Sequence, residues 1–118
     1  MNFTEQASRI ANVLDNMNPG WYKTVDRDKL DMGDNCRCLL GQLYGMYSHG
    51  LSALGITRHD SVYYGVDVPD VYGEDGPAVL ELEYNKLSEA IVGEINDRLA
   101  FDSEVEALER TEAVTMTA

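Results

Sequence analysis

The chain of 118 residues carries 21 acidic and nine basic side chains, for a net charge of −12. This length fits one domain, and a hydrophobic content of 44% is too high for an intrinsically disordered chain. No stretch approaches 18 consecutive apolar residues and no signal peptide opens the sequence, so we expect neither membrane association nor secretion. Two cysteines do not make a disulfide framework, and a cytoplasmic location fits this composition best.

The negative charge is concentrated in the second half of the sequence. Residues 1–60 hold seven acids and six bases, a net of −1, whereas residues 61–118 hold fourteen acids and three bases, a net of −11. Such a charge repels nucleic-acid phosphates, which disfavours direct binding of DNA or RNA. It is compatible with solubility alone, with a basic surface on a protein partner, or with imitation of nucleic acid.

The first predicted element is a helix from a cap at Thr4 to about Met17. Its apolar residues recur at helical spacing, and the string Asn18-Pro19-Gly20 ends it. The following stretch, residues 21–30, is too short and too mixed to assign from its pattern.

A second helix is predicted from a cap at Asp34 or Asn35 to about Ser48, with Gly50 as its stop. On a helical wheel one face is apolar and is expected to lie in the core: Cys36, Leu39, Leu40, Leu43, Tyr44 and Tyr47. The opposite face is mostly small: Cys38, Gly41, Gly45, Ser48 and His49. Two internal glycines cost about 1 kcal/mol each relative to alanine. We therefore expect another backbone to lie close to them, which makes this helix central.

A minor β segment is predicted near 61–68, because Val62, Tyr64, Val66 and Val68 alternate with less apolar residues. Residues 69–77 follow as a turn-rich linker.

A third helix is predicted from Pro77 to about Phe101. Its stripe comprises Leu80, Tyr84, Leu87, Ile91, Ile95 and Leu99, and Glu94 and Arg98 form an i,i+4 pair.

These elements predict a mainly α fold, with three main helices around a central glycine-containing helix and at most a minor β segment. Residues 1–101 are predicted to form a compact helical domain. Residues 102–118 are predicted to be an acidic helical extension that ends in a mobile tail.

Three strings in the first half of the sequence carry a family resemblance: Asn18-Pro19-Gly20-Trp21, Leu30-Asp31-Met32 and Cys36-x-Cys38-Leu39-Leu40-Gly41-Gln42-Leu43-Tyr44-Gly45. They resemble the core of a family of small uncharacterised proteins from actinobacteria and their phages, over roughly residues 13–95. The resemblance implies a phage or actinobacterial origin and a short helix at Trp21, and it implies no mechanism. The long acidic extension after Arg98 departs from that family.

The residues that could hold a metal are Cys36, Cys38, His49 and His59. Zinc sites use C-x(2–4)-C and H-x(3–5)-H spacing, whereas one and nine residues intervene here. On one helix the two cysteines would point about 200° apart. We therefore expect Cys36 in the core and Cys38 as a small packing residue, with a structural zinc or thiol protein as a minor alternative.

No nucleophile–base pair or phosphate-binding glycine loop is recognisable, so we predict no catalytic residue, no cofactor and no metal ligand.

The strongest functional pattern is acidic: Asp102, Glu106 and Glu109 recur at i, i+4 and i+7. On a helix this places carboxylates about 5–6 Å apart at Cβ. The first hypothesis is a non-enzymatic, phage-encoded interaction protein that uses these residues to bind a host or phage protein with a basic surface. The second is a DNA mimic that occupies the nucleic-acid groove of a host enzyme.

Overall fold

The computed structural model describes residues 2–69 and 76–117, and the side chains in those ranges except at 76, 77 and 109–117. Within them the chain forms four α-helices and no strand, which confirms the predicted mainly α class. The helices are α1 Phe3–Met17, α2 Leu39–Tyr44, α3 Tyr47–Leu54 and α4 Gly76–Thr117. Two short 3₁₀ helices lie between them, at Trp21–Lys23 and Arg58–Asp60.

The core is built where α1 packs along α4. The buried face of α1 is Ala7, Ile10, Ala11 and Leu14, and that of α4 is Leu87, Ile91 and Ile95. Both faces follow from apolar residues at helical spacing. One detail differs from prediction: Asn2 caps α1, with its Oδ1 accepting a hydrogen bond from the Glu5 amide at 3.2 Å. The prediction of a Thr4 cap was wrong by two residues.

The helix α4 is one continuous element of 42 residues, about 63 Å long at 1.5 Å per residue. Pro77 lies in its first turn, as predicted, and the helix runs on through the predicted helical extension to Thr117 without a break near Phe101. The predicted linker at 69–77 falls largely on residues 70–75, which lie outside the described part of the chain. None of the described helices combines the length and the apolar character needed to cross a membrane.

The predicted second helix is two helices, α2 and α3, because the backbone turns at Gly45. Gly45 adopts φ +92°, and its N–H bonds to the Gly41 carbonyl at 2.9 Å, which closes α2. Met46 is then extended, with φ −146°, and α3 begins at the next residue. Such a positive φ is a conformation that glycine adopts at little cost. Gly45 therefore ends a helix and does not admit a second backbone, contrary to our expectation.

The predicted stop at Gly50 was also wrong. Gly50 lies inside α3 and is buried. A Cβ added there would lie 2.5 Å from the Cβ of Leu40. The absence of a side chain thus allows α3 to pack tightly on α2.

Of the two cysteines, only Cys38 packs inside the protein as predicted. The prediction that Cys36 lies in the core was wrong: it is exposed, and Cys38 is buried. The reason is local, because the Asp34 carboxylate accepts the amides of Cys36 and Arg37 at 2.8 and 2.9 Å and holds them in a turn before the helix. The helix starts only at Leu39, where the Cys38 sulfur caps it by accepting the Gly41 amide at 3.2 Å.

The predicted β segment near 61–68 was wrong in conformation, and its alternation of burial holds only in part, because Ser61 and Gly65 are buried as well. Val66 and Val68 are buried, whereas Tyr63 is 56% exposed. The backbone bonds are local, with Gly65 N–H to the Val62 carbonyl at 3.1 Å and Val66 N–H to the Ser61 carbonyl at 3.1 Å. The described residues contain no neighbouring strand, so residues 61–68 form a series of turns that pack against the core.

Gly41 fulfils the expectation of a close backbone approach. A Cβ added there would collide with backbone atoms of Asn35 and Cys36, because the capping turn folds back over α2. Backbone cannot move aside as the end of a flexible side chain can.

We predict that Gly41→Ala lowers the free energy of unfolding by about 1–3 kcal/mol, the usual cost of overpacking. The matched control is Gly93→Ala, in the exposed interior of α4, where an added Cβ meets nothing within 4 Å. That change should raise stability by about 0.5–1 kcal/mol, since alanine is the better helix former. Urea denaturation followed by circular dichroism measures both. Equal stabilisation by the two changes would show that the capping turn does not cover Gly41.

Candidate interaction surface on the C-terminal helix

Arg98 is the main polar link between α4 and α1. Its guanidinium forms a bidentate pair with Asp15, with Nε to Oδ1 at 3.0 Å and Nη2 to Oδ2 at 2.8 Å. The other edge bonds to the Glu94 carboxylate at 2.8 Å, as the predicted i,i+4 pair requires. The Arg98 side chain is only 17% exposed. A cation with so little exposure is stable only because both edges of its guanidinium are hydrogen-bonded to carboxylates.

Trp21 completes this cluster from the first 3₁₀ helix. Its ring is buried, and its Nε1–H donates to Asp15 at 2.9 Å. The Arg98 guanidinium carbon lies 5.7 Å from the ring centroid, within the range of a cation–π contact. The hydrogen bonds from Arg98 lower the pKa of the Asp15 carboxyl against the opposing effect of burial, and the bond from Trp21 lowers it further.

One turn later, Asp102 ties α4 to the same 3₁₀ helix. The Tyr22 hydroxyl donates to the Asp102 carboxylate at 2.5 Å, and the Lys23 ammonium lies 3.6 Å from it. The negative charge that accepts this bond raises the pKa of the Tyr22 phenol. Asp102 is the most C-terminal described residue with a side-chain hydrogen bond or ion pair to the first 3₁₀ helix.

We define the distal segment as residues 101–117 of α4. Five of its six described side chains from 103 to 108 are exposed, and Val105 is partly buried. Residues 101–117 hold five carboxylates and one arginine, a net of −4. In its described part, Glu104 and Glu106 therefore present negative charge on the surface of the protein.

An apolar strip runs along this acidic segment, formed by Phe101, Val105 and Leu108. Phe101 is 64% exposed and Leu108 is 65% exposed. The spacing i, i+4, i+7 puts the three side chains on one face of the helix. Large apolar side chains aligned on an exposed helix face are typical of a contact surface for another protein.

The strip begins at a shallow groove of about 350 Å³ where α4 leaves the core. The lining residues are Asp15, Tyr22, Asp97, Arg98, Phe101 and Asp102. Phe101 belongs to both the groove and the strip, so the two form one continuous surface. Its chemistry is an apolar floor with carboxylates along its edges.

The three acids singled out from the sequence lie in different environments. Asp102 is partly buried and paired within the chain, whereas Glu106 is exposed. Glu109 lies within α4, but its side chain is outside the described part. The sequence interpretation missed the apolar strip. Its signal was available in the spacing of positions 101, 105 and 108, beyond the stripe assigned to the core.

The thiols and imidazoles do not come together as a metal site would require. The Cys38 sulfur accepts the hydrogen bond that caps α2, and burial raises the pKa of its thiol. Cys36, His49 and His59 are all exposed. Among the described residues no group of three or more histidine, cysteine or acidic side chains could hold a metal ion.

Comparisons of the chain with protein-family models, with curated proteins and with solved structures found no match. The resemblance to actinobacterial and phage proteins therefore stays a prediction from the quoted strings.

The Asp15–Arg98 pair makes stability depend on pH. The pKa of Asp15 is lowered in the folded protein, so its contribution is present above the ordinary value of 3.8 and is lost as the pH falls through the folded-state value. Asp15→Asn should lower the free energy of unfolding by about 0.5–1 kcal/mol at pH 7, a modest figure because the Asp15 side chain is 40% exposed and screened. The difference from wild type should shrink as the pH falls below 3.8 and through the lowered folded-state pKa of Asp15.

Urea midpoints measured at several pH values test this expectation. Glu89→Gln is the matched control, since it makes the same change of charge at an exposed position of α4. A difference between wild type and Asp15→Asn that persists undiminished at low pH would contradict a charge-assisted pair.

Proposed function

We propose that the protein is a non-enzymatic interaction protein that binds a protein partner through the distal segment of α4. The partner presents a basic surface, because the distal segment carries a net charge of −4 within a chain of net charge −12. In keeping with the family resemblance, the proposal includes a phage origin and a partner in the cytoplasm of the host cell.

The observation that carries the proposal is that α4 continues as a helix beyond its anchors at Arg98 and Asp102, where five of the six side chains from 103 to 108 are exposed. The core stripe of α4 does not require this continuation, since its last fully buried residue is Ile95. Carboxylates at i, i+4 and i+7, the spacing of Asp102, Glu106 and Glu109, disfavour a helix slightly through repulsion of like charges. A binding role offers a reason for keeping such a segment.

The negative charge of the distal segment predicts how the rates of binding should depend on salt. A negative field steers a positively charged partner, and salt screens it over about 8 Å at physiological ionic strength. Charges at the rim of an interface act mainly on the association rate. Raising the salt concentration should therefore slow association more than it speeds dissociation.

A DNA mimic is the competing function for the same carboxylates. It would need only charge and spacing, whereas the exposed Phe101 and Leu108 add an apolar surface that a phosphate backbone does not have. The apolar strip thus favours an ordinary protein interface over imitation of DNA.

The test is a quantitative pull-down from host lysate with the full-length protein as bait. Glu106→Gln combined with Glu109→Gln should reduce recovery of the specific partner by about tenfold or more while the urea midpoint stays unchanged. We leave Asp102 intact because it is paired with Tyr22. The matched control is Glu81→Gln combined with Glu89→Gln, which makes the same change of charge on the same helix outside the distal segment and should leave recovery unchanged.

Two outcomes would contradict the proposal. Equal recovery with both double variants and at high salt would exclude the acidic segment as the binding surface. Complete competition by duplex DNA, lost in the variant of the distal segment, would favour the DNA mimic.

A further inference from the structure

One heptad of the distal segment, residues 101–108, has the apolar spacing of a coiled-coil helix, and the a positions on either side of it are Arg98 and Glu112. With Val105 at position a, Phe101 and Leu108 occupy position d, so the apolar strip is an a/d seam. The preceding a position is Arg98, which is held by Asp15 and Glu94 and ends the seam on the side of the core. The seam is therefore confined to the part of α4 that follows Arg98.

Every position that flanks this seam is acidic from Asp97 to Glu109. The e positions are Asp102 and Glu109, and the g positions are Asp97 and Glu104. Among those with described side chains, Asp97 and Glu104 are exposed and Asp102 is partly buried. The e and g residues of a coiled coil contact the partner helix and decide which partner is accepted.

The uniform sign excludes a second copy of this chain as the favoured partner. In a parallel pair, the g residues of one helix face the e residues of the other, and in an antiparallel pair e faces e and g faces g. Either arrangement would place carboxylates against carboxylates, which is destabilising. The same four positions are complementary to a helix that carries lysine or arginine at e and g.

We infer that the distal segment pairs through its Phe101–Val105–Leu108 seam with a basic amphipathic helix of the partner protein. That helix presents apolar residues at a and d and lysine or arginine at e and g. The inference rests on the proposed function and specifies the partner's chemistry. The apolar seam supplies the contact area, and the acidic flanks select the basic helix and reject self-pairing.

The experiment measures binding of the full-length protein to a labelled synthetic helix by fluorescence anisotropy at low salt. The probe has about three heptads, with leucine at a and d and lysine at e and g. A second probe of the same charge has glutamine at a and d. We expect the leucine probe to bind at least about tenfold more tightly than the glutamine probe, because only the leucine probe fills the seam.

Two variants of the protein separate the seam from the charge. Phe101→Gln combined with Leu108→Gln should weaken binding of the leucine probe by about tenfold or more. The matched control is Leu82→Gln, which removes a side chain that is 60% exposed elsewhere on α4 and should leave binding unchanged. All three substituted residues are exposed, so the urea midpoints should remain close to that of wild type.

The outcomes distinguish the inference from the function on which it rests. Equal binding of both probes, lost in the Glu106→Gln and Glu109→Gln variant but unaffected by the seam variant, would overturn the inference and leave the acidic interaction protein standing. Binding of neither probe would overturn the inference, and the pull-down with the Glu106→Gln and Glu109→Gln variant would still decide the proposed function. A wild-type dimer in analytical ultracentrifugation that the seam variant abolishes would show that a second copy occupies the seam, contrary to the inference.

Discussion

The pairing of Arg98 with Asp15 and Glu94 fixes where the core of this protein ends and where its surface helix begins. Arg98 lies one turn beyond Ile95, the last fully buried residue of α4, and its side chain is only 17% exposed. A cation in that position is costly without partners, so α1 must supply Asp15 and the first 3₁₀ helix must supply the Trp21 ring. The register of α4 against α1 follows from this requirement as well as from the apolar stripe.

Because the anchor lies at the end of the core, one helix serves two purposes. Up to Arg98, α4 forms one wall of the core with α1. From Ser103 to Leu108 its side chains are mostly exposed, and the strip from Phe101 to Leu108 lies between acidic flanks. A helix that is stabilised by packing at one end presents the other end in a defined conformation, which limits the entropy lost when a partner binds.

The sequence predicted those parts of the structure that depend on periodicity. The helical spacing of Ile10 and Leu14, and of Leu87 and Ile91, identified α1 and α4 and their buried faces. It failed where a single backbone torsion or a side-chain cap decides the outcome. The turn at Gly45 and the Asp34 cap divide the predicted second helix and expose Cys36. A helical wheel predicts neither the turn nor the cap, because it assumes that the helix is continuous.

Of the candidate surface, the sequence predicted the acidic charge but neither the pairing of Asp102 nor the apolar strip. Glu106 is exposed as expected, but the bond between Asp102 and Tyr22 joins residues 80 positions apart and leaves no trace in local spacing. The apolar strip has a clear i, i+4, i+7 signature, yet on a helix such spacing ordinarily marks the core. Only the path of α4 away from α1 shows that these side chains are exposed.

Residue-resolved amide hydrogen exchange on the wild-type chain tests most directly whether α4 changes from core to surface at its anchors. Amides from Leu87 to Ile95 should exchange only through global unfolding, since they belong to the packed core. Amides from Ser103 to Leu108 should exchange with a much smaller opening free energy, because a helix without tertiary packing is only marginally stable in water. Equal protection of the two stretches in the isolated monomer would contradict the account, since it would require the distal segment to be packed as firmly as the core.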